Sequence, residues 1–243
     1  MSTGHYIVTG SSRGIGEQLS RLLLGQGNFV YGISRGIPES LKAFPNYRHI
    51  SFDLNRTGEL ESMLQSVIDS IPAQDEGMIG LINNAAMLEP LQMVDQCSTA
   101  EIERSLQITL AAPIILSASF IRLTEGRPVR KKIVNVSSGS ATYPAPAMSI
   151  YCAAKSGINM FTRCIGAEQA NRPGGVEVIA VDPGMVDTEM QQLARSLPDD
   201  SFPMAAFFRQ AHEQGQLYSA EQLGERLMAA IEQRYEPGEL VKL

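Results

Sequence analysis

The chain has no tryptophan, only three cysteines and three histidines in 243 residues, and aromatic residues make up just 6%. Cys97, Cys152 and Cys164 are an odd number without metal-ligand spacing, and His5, His49 and His212 are nowhere paired four apart. A zinc site is close to excluded, and no metal is expected. A basic surplus is also missing: 20 Lys and Arg stand against 26 Asp and Glu, a net charge of −6. That balance has no general attraction for phosphate backbones or anionic lipid, so neither nucleic acid nor a membrane is expected as partner. The most apolar long stretch, residues 106–121, is shorter than the roughly 20 residues a spanning helix needs. Gln107, Thr109 and Pro113 interrupt it. The first residues, MSTGH, show no basic segment followed by an apolar one, so no signal peptide is expected. These absences lead us to expect a soluble, cytoplasmic protein of a reducing compartment.

What is present is ordinary globular composition, with 44% hydrophobic and 19% charged residues. A chain of this length buries roughly three-quarters of its unfolded surface and suits one α/β domain, here residues 1–243. Short β-branched runs at residues 5–9, 28–34, 48–53, 78–83, 132–137, 176–181 and 239–243 read as strands. Helical periodicity fills the intervals at 14–25, 57–71, 99–124 and 148–170, with a bend expected at Pro113. The segment before the last strand reads as mostly helical. Strands alternating with helices imply right-handed crossovers and a doubly wound parallel sheet with helices on both faces. Ligands bind such sheets beyond the carboxyl ends of the strands.

The residues just after each strand therefore carry most of the argument. Strand one is followed by Gly10-Ser11-Ser12-Arg13-Gly14-Ile15-Gly16. A glycine-rich turn is weak evidence alone, but between a strand and a helix it fits a pyrophosphate held on helix N–H groups. Gly10 permits the turn, Gly14 the approach of backbone, and Gly16 the packing of helix on sheet. Strand two ends at Ser34-Arg35. A basic residue there favours the 2′-phosphate of NADP(H), and Arg13 is a second candidate cation for it. Asp53-Leu54 and Asn83-Asn84-Ala85 close the third and fourth strands, with Asp53 a candidate for hydrogen bonding to adenine. Strand five leads to Ser138, and Tyr151 and Lys155 follow four apart on one helix face. Such a pair arises by chance on many helices. Here it allows a cation to lower a phenol pKa, so that Tyr151 protonates a carbonyl oxygen which Ser138 orients.

TGSSRGIG, NNAA, NVSSG, YCAAK and DPGMVDT, in this order, resemble the short-chain dehydrogenase/reductase family across essentially the whole chain. The resemblance implies a single-domain, seven-stranded Rossmann sheet and hydride transfer with a nicotinamide dinucleotide. It implies Tyr151 as general acid/base, Lys155 on the nicotinamide ribose, and Ser138 on the substrate carbonyl. The implied cofactor-lining residues are Asn83, Asn84 and Ala85, with Pro183, Gly184, Val186 and Thr188 at the nicotinamide end. Within the family, INMFTRCIGAEQ and DPGMVDTEMQ resemble the sepiapterin reductase and benzil reductase group. Two positions depart from the pattern: Ala86 replaces a glycine, and Thr109 replaces an asparagine that helps hold a relay water at a local helix distortion. Residues 140–150, with Tyr143, Pro144 and Met148, form one expected substrate cover. Residues 185–215, with Met185, Met190, Phe202, Met204, Phe207 and Phe208, form the other. The reading is an NADPH-dependent carbonyl reductase for a small-molecule ketone or vicinal diketone. A pteridine reductase anchored by Asp187, Glu189, Asp199 or Asp200, and a catalytically weak NADP(H)-binding regulator, remain as alternatives. The long helices 99–124 and 148–170 imply a homodimer, with a tetramer possible.

Overall fold

The computed structural model describes residues 3–243; Met1 and Ser2, where the stretch read above for a signal peptide begins, lie outside them. Seven strands form one parallel sheet: β1 (His5–Thr9), β2 (Phe29–Ser34), β3 (Tyr47–Ser51), β4 (Ile79–Asn83), β5 (Lys131–Val136), β6 (Glu177–Asp182) and β7 (Leu240–Lys242). Their spatial order is β3-β2-β1-β4-β5-β6-β7. β1, β4 and β5 are buried along their whole lengths, as strands covered on both faces must be. The edge strand β3 is half-exposed, and it starts and stops one or two residues earlier than the sequence pattern suggests.

Side-chain alternation along the strands builds two cores. On one face Ile7, Ile33, Leu81 and Ile133 meet α2 (Leu60–Asp69) and α4 (Ala112–Leu123). On the other, Val8, Val30, Ile82 and Val134 meet α1 (Gly14–Gly25) and α8 (Ala220–Glu232). Fully burying such a side chain stabilises the fold by about 1.5–3 kcal/mol. The expected helix 99–124 divides into α3 (Thr99–Leu106), a π turn at Gln107–Ala111, and α4. The distortion therefore lies before Pro113. Proline has no N–H to give the carbonyl four residues back, which is that of Thr109, so the ladder loosens there. α5 (Ser149–Ala170) is unbroken, and two short helices, α6 (Glu189–Ser196) and α7 (Ala205–Glu213), precede α8.

Sequence pattern did not anticipate that Lys131 and Lys132 are both buried in β5. Their Nζ atoms donate to Thr124 O at 3.3 Å and to Ala230 O at 2.8 Å, where they close the carbonyl ends of α4 and α8. Burial pulls the Lys132 pKa down to about 8.

Chain order reverses between β1 and β4, and a buried threonine joins the two strand ends. Thr9 Oγ1 accepts from the backbone N–H of Asn84 and of Ala85, each at 3.0 Å. Asn84 Nδ2 returns a bond to Thr9 O at 3.0 Å. Thr9→Val keeps the shape and strands the Ala85 N–H, while the Asn84 N–H keeps its second acceptor, Ile82 O at 3.1 Å. An unsatisfied donor costs about 1–3 kcal/mol, so chemical denaturation should show a loss of that size. A loss below about 0.5 kcal/mol, the level of an ordinary surface substitution, would show that this junction does not depend on the hydroxyl.

Candidate active site

The loop between β1 and α1 needs its glycines. Gly10 and Gly14 have φ of 69° and 57°, the left-handed region. A Cβ on Gly16 would lie 2.3 Å from Gly10 O and 2.5 Å from Asn84 Nδ2. Helix α1 starts hard against the strand end only because that atom is absent. Its first turn has no side-chain cap, so the N–H groups of Gly14, Ile15 and Gly16 point out of the helix start beside Ser12. Across the cleft runs the loop after β6. Pro183 is buried, and Gly184 N donates to Asp182 Oδ1 at 3.0 Å. Val186 bridges to Tyr218, and Thr188 caps α6. A Cβ placed on Gly14 would be 3.5 Å from Thr188 Cγ2, so the two loops face each other closely.

At the end of β2, Ser34 is buried and Arg35 exposed. Arg13 does not stand free beside them: its guanidinium pairs with Glu189 at the start of α6. Asp53 Oδ1 accepts from Asn55 N at 3.0 Å and shapes the turn after β3, and Leu54 is buried beneath it. Asn83 also differs from a simple lining residue. Its side chain points into the core, with Nδ2 donating to Asn135 Oδ1 at 2.8 Å and to Ser117 Oγ at 3.1 Å. Asn135 Nδ2 in turn donates to Thr162 Oγ1 at 2.9 Å. That chain ties β4, β5, α4 and α5 together under the site.

Tyr151 and Lys155 both lie on the buried face of α5, 7% and 3% exposed. Lys155 Nζ donates to Val136 O at 2.6 Å and sits 5.6 Å from the centre of the Tyr151 ring. Ser138 follows β5, half-buried, and its Oγ accepts from Ser140 N at 3.1 Å. Burial dominates the electrostatics. It pushes the Tyr151 pKa up to about 12, against the weaker opposing pull of the Ser138 hydroxyl, and brings Lys155 down to about 8. Burial is the first cause in both cases, and the charges beside the phenol, Cys152 and Asp182, push its pKa further up.

Thr109 is buried within the π turn. Its Oγ1 accepts from Met87 N at 3.0 Å and faces Met87 O at 3.4 Å, so the hydroxyl is occupied by one residue of the loop after β4. Over Tyr151 lies a separate apolar cluster of Leu88, Ala147, Met148, Ala194, Phe202 and Ala205. Met190, Met204, Phe208 and Cys152 pack against it. Tyr143 and Phe207, read above as part of this wall, are 72% and 48% exposed and turn outwards. Arginines stitch the α6–α7 cover together. Arg195 Nη1 meets Asp187 Oδ1 at 2.8 Å, and Arg209 pairs with Asp199 while donating to Leu197 O at 3.2 Å.

A family model described as short chain dehydrogenase matches residues 5–198. The chain belongs to the short-chain dehydrogenase family. The benzil reductase ((S)-benzoin forming) of Bacillus subtilis is 34% identical to it over 236 residues, 97% of this chain and 96% of that protein. The benzil reductase of the same description from Bacillus cereus is 31% identical over 245 residues, 98% of each. Among solved structures, the KRED1-Pglu enzyme superposes with a TM-score of 0.84 at 23% identity, covering 98% of this chain and all of that one, a likeness of fold.

In this short-chain dehydrogenase further residues near the candidate site also follow strand ends. Leu88 and Leu91 follow β4 and join the cluster over Tyr151; their place after a strand end was the available signal. Nothing local marks the Arg13–Glu189 pair, whose members are 176 residues apart. The burial of Lys155 yields a direct test. In a ¹⁵N-lysine NMR titration its Nζ should titrate near 8, with the signal assigned by its loss in Lys155→Met. The Tyr151 phenol should stay protonated past pH 10, where unperturbed tyrosine ionises. A Lys155 midpoint at the ordinary 10.5 would show that burial does not control this pair.

Proposed function

We propose that the protein is an NADPH-dependent carbonyl reductase that converts a ketone or vicinal diketone to an alcohol, with Tyr151 as general acid. The observation that carries the reading is a neutral, deeply buried phenol next to a buried ammonium, roofed by apolar side chains. The residues present suit a dinucleotide. The uncapped start of α1 offers the N–H groups of Gly14, Ile15 and Gly16 to a diphosphate, with Ser12 beside them and Gly10 making the turn. Asp53 and Leu54 lie at the adenine side. Asn84 and Ala85, with Pro183, Gly184, Val186 and Thr188, flank the nicotinamide side, and Asn83 supports them from below.

When bound, the nicotinamide supplies a hydride to the carbonyl carbon. Ser138 donates to the carbonyl oxygen and orients it. Tyr151, protonated across the neutral range, delivers its proton to that oxygen as negative charge develops there. Lys155, anchored on Val136 O, stabilises the phenolate left behind. Thr109 is a positioning residue in this scheme, holding the Met87 peptide against the π turn. The apolar roof excludes water and favours bulky, uncharged substituents on the carbonyl. The pteridine reading finds less support, because three of its four candidate anchors, Asp187, Glu189 and Asp199, are already paired with arginines. The intact Ser138, Tyr151 and Lys155 set weighs against a mere regulator. Exposed Met160 on α5 suits association with a second copy.

Purified protein should oxidise NADPH with benzil-like diketones and not with a pteridine ketone; the reverse order would replace the substrate reading. Tyr151→Phe should cut kcat by ~10²–10⁴-fold while NADPH still binds. Retention of more than about a tenth of wild-type kcat, a loss far short of that range, would remove Tyr151 from its role. NADPH should bind about ten- to a hundredfold more tightly than NADH, through a charge-assisted contact of Arg35. Arg35→Asp should erase most of that gap by weakening NADPH alone. Equal wild-type affinities would overturn the NADPH preference.

A further inference from the structure

A polar cluster lies directly beneath the end of β2, with Ser11 and Ser34 buried and His49 and Tyr47 half-buried, and no step described so far uses it. Ser34 Oγ has three neighbours: Gly36 O at 2.8 Å, His49 Nε2 at 3.2 Å and Ser11 Oγ at 3.4 Å. Ser11 Oγ is also 3.4 Å from the Tyr47 hydroxyl. Gly32, between Val30 and Ser34 on this face of β2, makes the room. A Cβ there would fall 2.4 Å from the Tyr47 hydroxyl and 2.5 Å from Ser11 Oγ. Glycine inside a strand marks such close approaches. Gly32 and His49 are also register partners across β2 and β3.

Counting protons fixes who donates to whom. Ser34 has one hydroxyl hydrogen, and Gly36 O can only accept, so the shortest of the three contacts consumes it. His49 Nε2 must then carry a hydrogen and donate to Ser34. The imidazole thereby holds the hydroxyl that closes the Ser34–Gly36 turn, and that turn carries Arg35. No carboxylate among the described residues pairs with Arg35, whereas Arg13 is already held by Glu189.

We propose that His49 is a positioning residue for cofactor choice: its Nε2–H locks the Ser34 turn so that the Arg35 side chain meets the 2′-phosphate of NADP(H). The inference rests on the NADPH reading above and extends it to a residue on another strand. His49 touches neither the nicotinamide nor the carbonyl. It acts on discrimination between the two cofactors and leaves the chemical step alone.

The test is fluorescence titration of NADPH and NADH with the wild type, His49→Leu, His49→Gln, Ser34→Ala and the Ser34→Ala/His49→Leu pair. Loss of one positioning hydrogen bond is worth about three- to tenfold. His49→Leu should weaken NADPH by that factor, leave NADH within about twofold, and leave kcat at saturating NADPH unchanged. His49→Gln, whose amide can donate from a similar position, should recover most of the loss. Because His49 works through Ser34, the double variant should lose no more than the worse single one. Should leucine prevent folding, His49→Asn, polar but too short to reach Ser34, serves in its place. A folded donor-free variant with unchanged NADPH:NADH discrimination overturns the role of His49 while the NADPH reading stands. Equal weakening of both cofactors, or no rescue by glutamine, also overturns it, as general damage to the fold. Equal binding of the two cofactors by the wild type overturns both ideas together.

Discussion

Helix α1 begins in contact with the end of the strand it follows, and the rest of the site depends on that closeness. The contact exists because Gly10 and Gly16 have no side chains: a single Cβ on Gly16 would overlap the Gly10 carbonyl. The N-cap, Arg13, has no side-chain acceptor, so the first turn of α1 is uncapped and its N–H groups are directed into the cleft. Thr9 and Asn84 then fasten β1 to β4 at the point where chain order reverses. Every residue that lines the cleft is placed relative to this junction. The loop after β6 faces the glycine turn from the other side, close enough for Thr188 to contact a side chain at Gly14.

A second constraint is desolvation. The chain places a phenol and an ammonium in the same water-poor chamber and anchors the ammonium by one short bond to Val136 O. Burial disfavours the charged form of each, so the tyrosine stays neutral and the lysine loses its proton more readily. A neutral phenol held at high pKa is a proton donor in waiting, whereas a preformed phenolate would have no proton to give. The polar chain of Ser117, Asn83, Asn135 and Thr162 supports this chamber from below. Buried polar networks of this sort are costly to disturb and hold their neighbours in one arrangement.

Much of this was legible in the linear order of residues. Strand and helix positions follow from two- and 3.6-residue periodicity, and the site residues follow from their places after strands. TGSSRGIG, Ser138 and the Tyr151 and Lys155 pair required no coordinates, because each motif is local and its chemistry depends on residue type and spacing. Thr109 was legible as a departure, but its hydrogen bonds to Met87 were not, since the two lie 22 residues apart.

The chain by itself therefore determined the layer architecture, the family and the chemical groups of the site. Tertiary structure alone decided which of those groups stand free. Arg13 is occupied by Glu189, while Arg35 pairs with no carboxylate among the described residues, although the two arginines look equivalent in sequence. The Asn83 side chain turns into the core, and Tyr143 and Phe207 turn away from the cluster they were expected to join. How far the Tyr151 and Lys155 pKa values move depends on how much water surrounds the pair. The physical reason is common to all of these. Charge pairing, desolvation and side-chain direction are set by neighbours that arrive from distant parts of the chain, and no local spacing encodes them.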